Sequence, residues 1–427
     1  MYQKITLDNG LRIVLVPKKE SKTVAVLVLI KSGTDYETKE IKGIYHFIEH
    51  LPFKGTEKRR TAKEISQTIE GKGGALNAFT EPEITGFMVK MSSGHLETAL
   101  DVLSDMLLSP LFEPKEINKE ARVVIQEINS EKDNPQEHLE QVLWGEVVYG
   151  DQPAGWPILG TKESVKAVNR AKIIKHFGDR FRTKGIVISI AGNFKAEEAE
   201  NLVKNYFNRM NKGLGPQKPK VNDSQDTPQI LVSYKRTEQT HFSLGVRAPS
   251  FNLFSPKRHV LFLISTILGG NMSSRLFVSV RERRGLAYHI HTEINLYTDR
   301  GWLVTDAGVD HKKVEEVIYS ILTEYQKITQ KIVAAEELER AKEYLKGKMI
   351  MQLDDLIDTA YFHGGQELLL NRILTPEEEI EDCLRVTPEE IQRVAKKIFQ
   401  PQNLNLALIG PFKSEKRFSK ILENWMR

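Results

Sequence analysis

Blocks of apolar residues at two spacings mark out the elements of the first half of the chain. Residues 11–16 and 24–31 are near-continuous apolar runs, and 85–91 alternates through Thr85, Phe87, Val89 and Met91. All three read as strands. Residues 75–80 and 85–91, separated by Glu81-Pro82-Glu83, predict a hairpin. Thr61-Ala-Lys-Glu64 is a capping box, so a helix is expected through Ile65 and Ile69, closed by Gly71. Further helices are expected at about 96–108, 116–129 and 136–148. Strands and helices come in runs rather than in strict alternation. That pattern predicts an α+β fold, an antiparallel-rich mixed sheet backed by helices.

Residues 211–228 are rich in Gly, Pro and polar side chains and predict a linker near the midpoint. The two halves it joins end alike. The run from Val187 to Lys195 matches that from Leu404 to Lys413, and each precedes an amphipathic helix, finishing near Tyr206-Phe207 or Trp425. Upstream, Ile158-Leu159 with Val165, Val168, Ile174 and Phe177 parallels Ile373-Leu374 with Ile380, Cys383, Ile391 and Phe399. Order and spacing agree, which points to an internal duplication with a period of roughly 218 residues. The expected organisation is two homologous domains, 1–210 and 229–427, joined by 211–228.

Composition narrows the class. A chain of 427 residues exceeds what one core usually supports, and 40 % apolar with 28 % charged residues describes a soluble globular protein. A net charge of +4, from 61 basic and 57 acidic residues, gives no reason to expect nucleic acid as a partner. The single cysteine, Cys383, excludes an intrachain disulfide and a cysteine-rich zinc site. The longest apolar runs, 24–30 and 260–264, are too short to span a bilayer, and no secretory signal pattern opens the sequence. No membrane association and a cytoplasmic location are therefore expected.

Any metal must then be held by His and carboxylate, and one segment is built for that. In His46-Phe-Ile-Glu49-His50 two imidazoles lie four residues apart, one turn along the same helical face. Such a pair can grip one metal ion, usually zinc, while Glu49 at the edge of the face can reach a water beside it. The order H-x-x-E-H reverses the zincin motif. Two His ligands leave a zinc site short of a third. Glu120 and Glu127, seven residues apart beside Val123, Val124 and Ile128, are the best local candidates; periodicity does not choose between them, or against Glu116 and Glu131.

The stretch from Gly43 to Thr56 closely resembles the active-site helix of the pitrilysin, insulysin and mitochondrial processing peptidase family. Leu76-Asn-Ala-Phe-Thr80 and Val123-Val-Ile-Gln-Glu127 match that family's next two blocks in order and spacing. The similarity extends through nearly the whole chain and is nearest to bacterial members of processing-peptidase type. It implies one zinc per chain, held by His46, His50 and Glu127, with Glu49 as general base and Glu120 supporting the ligands. It also implies that Asn77, Ala78 and Phe79 lie on the strand along which a peptide substrate is laid, although Phe79 fits equally as a core aromatic.

The second half carries no H-x-x-E-H, and His259 stands alone where the repeat would place it. It does hold Arg281 and Tyr288, seven apart, which resemble the family's substrate-facing pair. There Arg281 would hold a backbone carbonyl and Tyr288 would stabilise the developing oxyanion. The resemblance thus implies a zinc endopeptidase acting on unfolded or short peptides in an enclosed chamber. Because one chain keeps both the zinc motif and the Arg/Tyr pair, a homodimer is expected. The rival expectation is a non-catalytic scaffold or partner subunit.

Overall fold

A computed structural model of the chain describes residues 2–248 and 251–425. Its backbone packs as two units that are not contiguous in sequence. The first comprises 1–129, 157–219 and 350–375; the second comprises 130–156, 220–349 and 376–427. Each half of the sequence therefore lends one segment to the unit built mainly from the other, and the expected linker divides between them at 219/220.

The first unit holds six strands: β1 (Gln3–Thr6), β2 (Arg12–Pro17), β3 (Thr23–Ile30), β4 (Ala75–Thr80), β5 (Thr85–Ser92) and β6 (Ile186–Gly192). They lie in the order β1-β2-β6-β3-β5-β4, with only β2 and β6 parallel. Successive side chains of a strand point to opposite faces. On β3, Val24, Val26, Val28 and Ile30 join one core, while Ala25, Leu27 and Leu29 join another. Both faces are buried, which is why this strand is a continuous apolar run in the sequence. Helices Ile44–His50, Leu96–Leu108 and Ala196–Phe207 cover the first face.

The second face is covered by helix Leu356–Leu370, which comes in the sequence after four of the five strands of the second sheet. Gly364 sets its approach. A Cβ there would fall 2.7 Å from Ser189 Cβ and 2.8 Å from Leu29 Cδ1. At the helix ends, Lys18 Nζ donates to Leu353 O and Thr359 Oγ1, and Arg12 Nη1 binds Glu367 Oε1 at 2.9 Å.

The second unit repeats the plan with β7 (Gln229–Tyr234), β8 (Thr240–Arg247), β9 (Ala287–Leu296), β10 (Gly301–Val309) and β11 (Leu404–Gly410). Its order, β7-β11-β8-β10-β9, reproduces β2-β6-β3-β5-β4 strand for strand, and the parallel pair occupies the same place. One face packs on helices Arg258–Gly269, Val314–Gln330 and Pro388–Ile398. The other packs on Leu139, Leu143, Trp144, Val147 and Val148, the segment lent by the first half.

The predicted elements agree closely with those observed, and the Thr61 capping box makes both of its hydrogen bonds. The region expected as a helix over 136–148 is broken instead into Pro135–His138, a π-helical stretch Leu139–Leu143 and Trp144–Tyr149. The wider turn lets Leu139, Leu143 and Trp144 all reach the sheet.

Candidate metal centre

The helix Ile44–His50 is only seven residues long, too short to be stable by itself, so its surroundings must fix it. Ile44, Phe47 and Ile48 are buried in the first core. Its leading residue, Gly43, has φ +79°, and a Cβ there would fall 2.6 Å from Leu159 O. The buried carboxylate of Glu37 accepts the N–H groups of Gly43 and Tyr45, which would otherwise be orphans of the first turn. Burial holds the Glu37 carboxyl well above the usual range, against the pull of those backbone donors. Tyr45 accepts from Arg180 Nε at 3.1 Å, and the same guanidinium lies 4.2 Å over the Tyr36 ring. A 3-10 turn, Leu51–Lys54, continues from His50 and stops at Gly55.

This frame sets His46 and His50 side by side, ring centroids 4.5 Å apart. Helix Pro114–Asp133 brings up the carboxylates. One ligand atom each from His46, His50 and Glu127 lie within 4.8 Å of one another. Tetrahedral zinc with bonds of about 2.0–2.1 Å would draw such atoms to roughly 3.3 Å apart, a small closure. Two observations show that these residues fit a metal. Glu127 Oε2 is buried with no hydrogen-bond partner, and it stands 3.9 Å from His46 Nε2, too far for a hydrogen bond. Burial and the neighbouring His50 push the His46 pKa down to about 3, so its imidazole stays neutral, as a ligand must.

Glu120, which periodicity left level with Glu127, takes a different place. Its side chain is 2 % exposed, against 38 % for Glu127. Its Oε1 lies 2.9 Å from His50 Nδ1, which leaves His50 Nε2 free to face a metal. Burial alone would raise the Glu120 pKa, but His50 and Lys54 outweigh it and hold the carboxyl below its usual value. For His50, burial pulls the pKa down, while Glu120, Glu127 and Glu49 pull harder and raise it. Glu49 is nearly buried on the same helix, and burial is the main cause of its raised pKa.

Asn77, Ala78 and Phe79 lie on β4, which ends the first sheet. β4 pairs with β5 on one side and with no strand on the other among the described residues. The Ala78 N–H is turned to the Asn77 Oδ1 of its own strand, at 2.9 Å. Phe79 is a packing residue in this structure. Its ring covers Gly86, where a Cβ would sit 2.4 Å from it, and it meets Tyr361 edge-on at 5.7 Å.

Arg281 and Tyr288 belong to the second unit, where both are exposed. The Arg281 guanidinium lies 5.0 Å over Phe277, and Tyr288 is the second residue of β9. His259 Nε2 lies 2.6 Å from Glu379 Oε2, and the same carboxylate forms an ion pair with Arg258. Glu37, Arg180 and Lys54 were not foreseen. Only Lys54 carried a signal, lying four residues beyond His50.

Residues 12–162 match the family model for Insulinase (Peptidase family M16), and residues 167–345 match that for the Peptidase M16 inactive domain. The chain is 33 % identical over 413 residues to an uncharacterized zinc protease of Bacillus subtilis (strain 168), spanning 96 % of this chain and 98 % of that one. It is 30 % identical over 422 residues to an uncharacterized zinc protease of Mycobacterium leprae (strain TN), covering 98 % and 94 %. Among solved structures, a protease from Helicobacter pylori superposes with a TM-score of 0.90 at 22 % identity, covering 96 % and 99 % of the two chains. A chain of complex III2 from Candida albicans superposes with a TM-score of 0.84 at 16 % identity, covering 98 % and 99 %. At those identities the structures speak for the fold alone. Among the described residues no helix is long and apolar enough to cross a membrane.

Proposed function

Since the chain belongs to the insulinase family of peptidases (family M16), we propose that it is a zinc-dependent endopeptidase whose catalytic half is the first unit. The observation that carries this reading is the convergence of His46, His50 and Glu127 on one point, with Glu49 on the same short helix. His46, His50 and Glu127 would hold one zinc ion per chain. When bound, zinc supplies Lewis acidity that lowers the pKa of a water to about 7 and polarises a carbonyl.

The remaining work falls to side chains. Glu49 takes a proton from the attacking water and returns it to the leaving amine. Burial raises the pKa of Glu49, which brings its acid form nearer to working pH and helps transfer in both directions. Glu120 holds the His50 ring by Nδ1. A peptide adds to the open edge of β4 through backbone hydrogen bonds, with little demand on its sequence. Substrates are accordingly unfolded or short peptides. The exposed Tyr288 phenol and Arg281 guanidinium are assigned to the oxyanion and to a substrate carbonyl. The proposal extends to a homodimer of complete chains; sedimentation of the active species at the mass of one chain would contradict that extension.

A second reading has support from the fold. The likeness in fold to a complex III chain and the match of residues 167–345 to the model of the Peptidase M16 inactive domain fit a scaffold without catalysis. Against it stands the complete set of His46, Glu49, His50 and Glu127. Chelation separates the two. Stripping zinc from the full chain is expected to abolish cleavage of an internally quenched, unstructured peptide, and zinc is expected to restore it. A scaffold would leave the peptide intact in every state.

A further inference from the structure

Lys54 ends the 3-10 turn that continues the metal helix, four residues beyond His50. The two side chains share one buried carboxylate. His50 Nδ1 lies 2.9 Å from Glu120 Oε1, and Lys54 Nζ lies 2.7 Å from Glu120 Oε2. A carboxylate held at one oxygen can still turn about its last torsion, which has broad, roughly two-fold preferences. Held at both oxygens, it cannot. The charge argument points the same way. The Glu120 side chain is 2 % exposed, and a carboxylate so buried needs a full countercharge as well as a hydrogen bond. Lys54, 27 % exposed, supplies that charge while its head group keeps some water.

The turn that presents Lys54 is itself constrained. Gly55 follows it at φ +146°, where a Cβ would fall 2.5 Å from Arg60 O, so the backbone there tolerates only glycine. Lys54 is thereby fixed over helix Pro114–Asp133 at the level of Glu120, and its ammonium, which has no lone pair to give, cannot itself be a metal ligand.

We propose that Lys54 is a positioning residue for the metal centre: through Glu120 it locks the imidazole of His50 in the orientation and tautomer that present Nε2 to the metal. The proposal rests on the assignment of His50 as a zinc ligand. Removing a partner of a ligating histidine typically weakens metal binding ten- to a hundredfold.

The test is zinc affinity of the full chain, measured by competition with a chromophoric chelator, with the cobalt(II) spectrum as a report on coordination geometry. Lys54→Met is expected to weaken zinc about tenfold or more and to alter the cobalt spectrum, and Lys54→Arg to restore most of the affinity. Glu120→Ala should weaken zinc at least as much, and adding Lys54→Met to it should change little further. Lys54→Gln carries the same comparison if the methionine variant does not fold. Unchanged affinity in Lys54→Met beside a weakened Glu120→Ala overturns the inference, as does full additivity of the two. Wild type that takes up no zinc would instead overturn the metal assignment on which the inference stands.

Discussion

The carboxylate of Glu37 accepts the backbone N–H of Gly43 at 2.8 Å, closing the start of the helix that carries His46, Glu49 and His50. The same carboxylate takes Tyr45 N–H at 3.2 Å, so two donors of the first turn depend on one buried side chain. Glu37→Ala would leave both unsatisfied away from water. We expect it to destabilise the chain by about 2–4 kcal/mol, with Glu37→Gln, which keeps a carbonyl acceptor, costing clearly less. Chemical denaturation of both variants checks the ranking; equal stability of Glu37→Ala and wild type would refute this account of how the helix is held.

The open edge of β4 makes a sharper prediction. The Ala78 N–H is bonded to the Asn77 Oδ1 of its own strand, a side-chain acceptor that an incoming peptide carbonyl would displace. Ala78→Pro removes that donor, and proline is tolerated at a sheet edge. The expected outcome is a drop of about tenfold in kcat/KM, the worth of one backbone hydrogen bond, with the unfolding midpoint nearly unchanged. Full activity in the variant would move substrate binding elsewhere.

Gly364 tests whether helix Leu356–Leu370 is an integral layer of the first unit. A methyl group at this position meets Ser189 and Leu29 at 2.7 and 2.8 Å. Gly364→Ala should therefore destabilise by about 1–3 kcal/mol, despite the usual preference of helices for alanine. A stabilised variant would show that the helix does not pack so closely.

In the second unit, burial lifts the Asp306 carboxyl to about 8, with Ser243 opposing and Glu140 and Glu293 adding to the rise. A carboxyl raised in the folded state favours folding only while protonated. Its contribution is complete below the unfolded value near 3.8 and is lost as pH climbs towards 8. Between pH 5 and pH 9 the wild type should thus lose roughly 4 kcal/mol that Asp306→Asn retains. Unfolding curves at the two pH values decide it; parallel losses in both proteins would contradict the assignment.

Much of this architecture was legible because burial on both faces writes itself into a strand. Residues 24–30 are apolar throughout because β3 is covered on both sides, and the Thr61 capping box announced its helix by local chemistry alone. The two imidazoles were legible for the same reason, since a four-residue spacing fixes their common face. The choice between Glu120 and Glu127 was not. Both point from one face of helix Pro114–Asp133, and only depth against the metal helix separates the buried carboxylate from the half-exposed one. Glu37, Lys54 and the exchange of segments 130–156 and 350–375 were hidden for a related reason. Periodicity tells which face of an element is buried, and nothing in it names the distant partner that buries it.

The central claim is that Glu49 moves the proton at a site that His46, His50 and Glu127 build. The most direct measurement compares zinc content and cleavage of a quenched peptide for wild type and Glu49→Gln. The glutamine variant keeps the shape of the side chain and leaves the three ligands untouched, but it cannot accept a proton. The account predicts about one zinc per chain in both proteins, with cleavage by the wild type alone. A zinc-loaded wild type that leaves the peptide intact, or a Glu49→Gln variant that cleaves it as fast, would contradict it.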